Sequence, residues 1–329
     1  MCYLTKECFL VKFKRSVLLL FLSCCFHALA SGTDVQKLNI EENGFVGHYY
    51  EPSVSSAGSA RQPVIVLGGS EGGIPSRLAD VIAADGFPVL AVAYFKEESL
   101  PDELEKIPLE YFEKAKKWLL HKHPENENLT VAGWSKGAEL SLLLASKDAT
   151  FNRVIAIAPS AVVWAGILNN WQKTPGSSWT SGQKELDYVQ FNPTGAVSGL
   201  LDLYSQSLAN RQDGGKASIK AEEILGSVYL FSGGKDEIWP SVSMAKSICE
   251  RMRQNESSSC THFSYPELDH LLDYKMLDAS EELNRVFLDS VSVPPDLEKI
   301  NLSILLRLDS TEDFVPIFED AALDIKRDD

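Results

Sequence analysis

From residue 63 onward the chain alternates short apolar-rich runs with longer runs whose apolar residues recur every three or four positions. PVIVL (63–67), PVLAVAYF (88–95), LTVAG (129–133), RVIAIAP (153–159), SVYLFSGG (227–234) and THFSYP (261–266) are of the first kind. SRLADVIAADG (76–86), DELEKIPLEYFEKAKKWLLHK (102–122), SKGAELSLLLAS (135–146) and PSVSMAKSICERMR (240–253) are of the second, and a further helix is expected near 278–290. Short runs without polar alternation read as strands covered on both faces, and strands that alternate with helices pair in parallel. The pattern predicts an α/β fold with a mostly parallel central sheet and helices on both faces. Pro108 is expected to interrupt the helix that contains it.

Three stretches depart from this rhythm. Residues 31–61 hold two strand-like pieces, VQKLNI and FVGHYY, and end in the Ser/Gly-rich turn VSSAGSARQ. Residues at about 160–225, rich in Trp, Ser, Gly and Asn, read as a lid-like insertion, because a long irregular segment inside a compact domain is usually functional. Residues 292–329 form a carboxylate-rich tail with no assigned structure. Between them, residues 62–291 are expected to make one catalytic domain, and no internal repeat is visible.

The first thirty residues carry Lys6, Lys12, Lys14 and Arg15, then an apolar run from Val17 to about Cys25, then Ala28-Leu29-Ala30. That layout predicts a secretory signal peptide cleaved after Ala30, so the protein is expected to be exported, secreted or periplasmic. The apolar run falls short of the ~20 residues of a membrane span, which disfavours an N-terminal anchor. Taking its four basic and one acidic residues from the chain's 31 basic and 46 acidic leaves 27 and 45, a net charge of −18. Such a surface repels phosphate-rich partners and argues against nucleic acid and anionic membrane. Only Cys249 and Cys260 remain after cleavage, and in an oxidising compartment they are expected to form a disulfide. No Cys/His cluster suggests a metal.

A serine between glycines at −2 and +2 occurs twice, in GWSKG at Ser135 and GGSEG at Ser70. A nucleophile elbow needs a strand, a sharp turn and an immediate helix. Ser135 has LTVAG before it and AELSLLLA after it, whereas Ile74 and Pro75 delay any helix after Ser70. The Ser70 loop is therefore expected to line the site, with backbone N–H groups of Gly69, Ser70 and Lys136 as oxyanion donors. A serine needs a base held by a carboxylate. His48 precedes the core strands, His121 and His123 end what reads as a solvated helix, and His262 is inside a strand. His270, in PELDHLLD after the last strand, is at the carboxyl edge where open parallel sheets bind ligands. The loop after the preceding strand offers Asp236 and Glu237, with Asp236 preferred for its two turning glycines, and Asp269 is a competitor.

LGGSEGG, DGFPVLAVAYF, LPDELEKIPLEYFEKAKKWLL, GWSKGAELSLLLAS, SSWTSGQKELDYV, FSGGKDEIWPS and YPELDHLL together resemble one family. It is the carboxyl-terminal α/β-hydrolase domain shared by acyl-CoA thioesterases and bile acid-CoA:amino acid N-acyltransferase, near the dienelactone hydrolases. The resemblance implies an α/β-hydrolase fold and a triad on Ser135, Asp236 and His270. It also implies that the amino-acid-conjugating transferase carries cysteine where this chain has Ser135. The expected function is a serine hydrolase acting without a cofactor on a small acyl ester or thioester. Alternatives on the same fold are an acyltransferase, a serine peptidase or a non-catalytic binding protein.

Overall fold

The computed structural model describes residues 35–52, 61–254 and 256–292. The expected signal peptide and the C-terminal tail lie outside the described residues. The chain opens with β1 (Val35–Leu38), the single-turn α1 (Ile40–Asn43) and β2 (Val46–Tyr50). Then follow β3 (Val64–Leu67), α2 (Ser76–Ala84), β4 (Val89–Ala93), β5 (Ile107–Pro108), α3 (Leu109–Lys122), β6 (Leu129–Trp134), α4 (Lys136–Ala145) and β7 (Phe151–Ile157). The irregular stretch after β7 contains β8 (Trp179–Ser181), β9 (Lys184–Glu185) and α5 (Leu200–Ala209). The chain continues through β10 (Gly226–Gly233), α6 (Ser241–Met252), β11 (Ser258–Tyr265) and α7 (Glu282–Ser292).

Eight strands form the central sheet in the order β1-β2-β4-β3-β6-β7-β10-β11. β1 and β2 pair antiparallel, and β2 pairs antiparallel with β4, so the amino-terminal strands extend the main sheet. From β4 to β11 every pairing is parallel. Every residue of β3, β4 and β6 is buried, as the runs without alternation predict.

Alternate residues of each strand face opposite cores. Val64 and Val66 of β3 pack with Leu78 and Ile82 of α2 and with Val286 and Phe287 of α7. Ile65 and Leu67 pack on the other face with Phe112 and Leu119 of α3 and Met244 and Ile248 of α6. Each such side chain contributes about 1.5–3 kcal/mol by leaving water. The expected helix at 102–122 starts only at Leu109, capped by Pro108, whose missing N–H is harmless at a helix start. Ile107 and Pro108 instead join β8 and β9 in a small three-stranded sheet. That sheet ties the insertion to the domain, and Val162, Trp164, Trp179 and Tyr204 enter the same core as α3.

Candidate active site

Ser135 lies between β6 and α4 with φ 53° and ψ −119°, a left-handed backbone that costs of order 1–3 kcal/mol for a non-glycine residue. The flanking glycines are required by contact. A methyl group on Gly133 would overlap the Gly137 carbonyl, and one on Gly137 would overlap the Leu67 carbonyl. With bare backbone at both places, α4 crosses beneath β3 and β6 closely enough to hold the strained turn. Ser70 sits in the loop after β3, well before α2 begins at Ser76.

His270 Nε2 lies 2.9 Å from Ser135 Oγ, and its Nδ1 lies 2.8 Å from Asp236 Oδ1. A carboxylate only accepts, so Nδ1 carries the hydrogen and Nε2 accepts from the serine hydroxyl. Asp236 Oδ1 also accepts from the Ile238 and Trp239 amides at 2.9 and 3.1 Å, which fixes the carboxylate. The Trp239 ring meets the imidazole edge-on, with centroids 5.5 Å apart. Ser135, Asp236 and His270 are 8, 5 and 6% exposed. Gly233 and Gly234 receive the 266–269 loop on their bare Cα atoms, which brings His270 over Asp236. Glu237 lines the adjoining cavity without reaching the imidazole, and Asp269 Oδ1 is taken by the Leu271 and Asp273 amides.

One expected oxyanion donor is differently employed. Gly69 N–H donates to Glu71 Oε1 at 2.9 Å, and the same oxygen accepts from Trp134 Nε1 at 2.8 Å. The Glu71 side chain folds back over its own loop and takes the amide that the glycine pattern leaves open. Ser70 N–H and Lys136 N–H have no acceptor among the described residues, and Lys136 N–H heads α4, where no intrahelical acceptor exists.

Ser135 and His270 open onto a cavity of about 1110 Å³. The 160–225 insertion supplies one wall through Ile167, Leu168, Phe191, Leu200 and Tyr204, with Trp171, 85% exposed, at the mouth. Glu71, Arg77, Lys173, Glu237 and Asp269 add charge to an otherwise largely apolar lining.

Several structured polar groups are not singled out by the sequence reading. Lys136 Nζ and Glu139 Oε2 form an ion pair at 2.6 Å inside α4, 1 and 0% exposed. Glu139 Oε1 accepts from Trp179 Nε1 at 2.7 Å and from the Trp164 amide at 3.3 Å. Burial lowers the Lys136 ammonium and raises the Glu139 carboxyl from their usual values, and the pairing opposes both shifts. A Lys and a Glu three residues apart in an otherwise apolar helix were the available signal. His123, expected to be solvated, is buried, 2.8 Å from Tyr49 Oη and 3.2 Å from Glu125. His262 lies 2.6 Å from Ser232 Oγ, and burial with nearby Lys246 pushes it down to about 4. Cys249 of α6 and Cys260 of β11 are joined as a disulfide, with Cα atoms 5.2 Å apart.

The strand order, the elbow and the crossovers define an α/β-hydrolase fold. Residues 107–281 match the family described as BAAT / acyl-CoA thioester hydrolase C terminal, and the chain belongs to that family. Among similar proteins, acyl-coenzyme A amino acid N-acyltransferase 1 of Mus musculus is 29% identical over 244 residues, 74% of this chain and 55% of that protein. Acyl-coenzyme A thioesterase 6 of Mus musculus is 30% identical over 214 residues, 64% of this chain and 48% of that protein. The chain thus spans about half the length of these relatives. A solved esterase of Pyrococcus furiosus shares the fold with a TM-score of 0.50 at 15% identity, over 78% of this chain and 91% of that one. A puromycin-hydrolyzing peptidase of Mycobacterium tuberculosis does so with 0.51 at 11% identity, over 79% and 39%.

Proposed function

We propose that the chain is a serine-dependent hydrolase that cleaves acyl thioesters or carboxylic esters through an acyl-Ser135 intermediate. The observation that carries this reading is the hydrogen-bonded series Ser135–His270–Asp236 opening onto the cavity. His270 Nε2 takes the Ser135 proton as Oγ attacks the acyl carbon, and Asp236 holds the ring and stabilises the imidazolium. The Ser70 and Lys136 amides receive the developing oxyanion, aided by the positive end of α4. The imidazolium returns the proton to the departing thiol or alcohol. His270 then activates a water that attacks the acyl-serine, releasing the acid and restoring the hydroxyl. Every step uses groups of the chain itself.

The thioesterase relatives favour the thioester. The acyltransferase relatives favour a second reading, in which an amine replaces the water. Export through the first thirty residues is part of the proposal, and the bonded pair Cys249 and Cys260 suits an oxidising compartment.

The test is labelling with a fluorophosphonate, followed by turnover of matched ester, thioester and amide substrates. Ser135→Ala is expected to lose labelling and turnover, and Ser70→Ala to keep its label. Labelling that persists in Ser135→Ala would refute the assignment, and faster cleavage of the amide would make the protein a peptidase.

A further inference from the structure

Glu71 is an ionisable group beside Ser135 that the steps above leave unused. Its Oε1 accepts both Gly69 N–H and Trp134 Nε1, so the carboxylate cannot swing away without leaving the Gly69 amide and the indole of 5% exposed Trp134 unpaired. A methyl group on Gly69 would stand 2.7 Å from Glu71 Oε2 and 3.2 Å from Ser135 Cβ, so the carboxylate and the serine border the same small space beside Gly69.

Lys96 Nζ, the cation beside the Glu71 loop, donates to the Ser70 carbonyl at 3.2 Å, and the charged groups that line the cavity form no ion pair with Glu71 among the described residues. Glu237 and Asp269 have the same sign. Of the two cations, the Arg77 guanidinium lies 4.4 Å over the Tyr274 ring, and Lys173 belongs to the exposed stretch beside Trp171. The amides of Ser70 and Lys136 can offset one negative charge at the acyl carbon. A second one, carried by the substrate, would meet Glu71 directly.

We infer that Glu71 is a specificity-determining residue whose fixed negative charge beside the reacting carbonyl selects acyl groups that are neutral or cationic near that carbonyl over half-thioesters of dicarboxylic acids. This rests on the hydrolase reading above. Glu71 is exposed, and two like charges about 7 Å apart change a rate by roughly threefold at the dielectric of water and roughly fiftyfold at an effective constant of about 20, which brackets a tenfold effect.

The experiment measures kcat/KM for butanoyl, succinyl and 4-trimethylammoniobutanoyl thioesters of one small thiol. The wild type is expected to discriminate against succinyl relative to butanoyl by about tenfold. Glu71→Gln keeps an acceptor for both N–H groups while removing the charge, and should raise the succinyl-to-butanoyl ratio by roughly that factor. Arg77→Gln should lower the ratio. A merely structural role for Glu71 would depress all three substrates together. Added salt should raise the same ratio in the wild-type protein, a readout that needs no variant to fold. A ratio that stays within about twofold in Glu71→Gln and in salt overturns the inference. A wild type that turns over none of the three overturns the hydrolase reading itself, which separates the two failures.

Discussion

Glu139→Ala removes the counter-charge of Lys136, the buried lysine that follows Ser135 in the chain. Lys136 would keep an ammonium at 1% exposure with no anion, a loss of about 3–5 kcal/mol. The Trp179 indole would also lose its acceptor, adding about 1–3 kcal/mol. The total is a large part of the ~5–15 kcal/mol that stabilises a typical domain. At about 2–4 °C per kcal/mol, the melting temperature should fall by at least 10 °C or so. Adding Lys136→Met removes the stranded charge, so the double variant should be more stable than Glu139→Ala alone. Without its partner, Lys136 keeps only the lowering effect of burial. The unfolded chain then binds a proton that the folded chain gives up, so the stability of Glu139→Ala should rise with pH toward the ordinary lysine range. Urea unfolding followed by tryptophan fluorescence at two pH values measures all three effects. A Glu139→Ala protein within about 1 kcal/mol of its parent, or a double variant weaker than the single, would refute the reasoning.

Two further outcomes are expected. Mass spectrometry of the non-reduced, exported protein should find Cys249 and Cys260 closed to alkylation, and reduction should cost about 2–4 kcal/mol; two free thiols in that protein would contradict both the bond and the compartment. A model acyl thioester offered with excess glycine or taurine should yield mainly free acid, because the oxygen ester on Ser135 is less open to amines than a thioester would be. An amide as the main product would establish the acyltransferase reading instead.

The strands, and the three residues Ser135, His270 and Asp236 that the structure brings into hydrogen-bond contact, were legible for physical reasons. A strand covered on both faces is apolar along its covered length, which marked β3, β4 and the apolar stretches 131–134 of β6 and 154–157 of β7. An open parallel sheet delivers its loops to one edge, which separated His270 from His262 in the neighbouring strand. What escaped the sequence depends on side-chain paths set by distant residues. His123 closes the polar HKH at a helix end and reads as solvated, yet Tyr49, 74 residues earlier, covers it. The Lys136–Glu139 pair was not singled out, because what buries it is the insertion, which closes over it through Trp164 and Trp179. The glycines around Ser70 marked a loop that runs close to Ser135, while the return of Glu71 onto Gly69 N–H is a rotamer choice that no spacing encodes.

The left-handed turn at Ser135 also bears on what this scaffold can become. At φ 53° an unbranched side chain is tolerated, but a threonine would add a β-methyl in the crowded half of the turn. Cysteine has serine's shape at the β-carbon, so a change from oxygen to sulfur asks nothing new of the backbone. On the proposed mechanism, one substitution would exchange an oxygen-ester intermediate for a thioester one, leaving glycines, histidine and aspartate where they are. Inheritance of the elbow is, in that sense, inheritance of two chemistries.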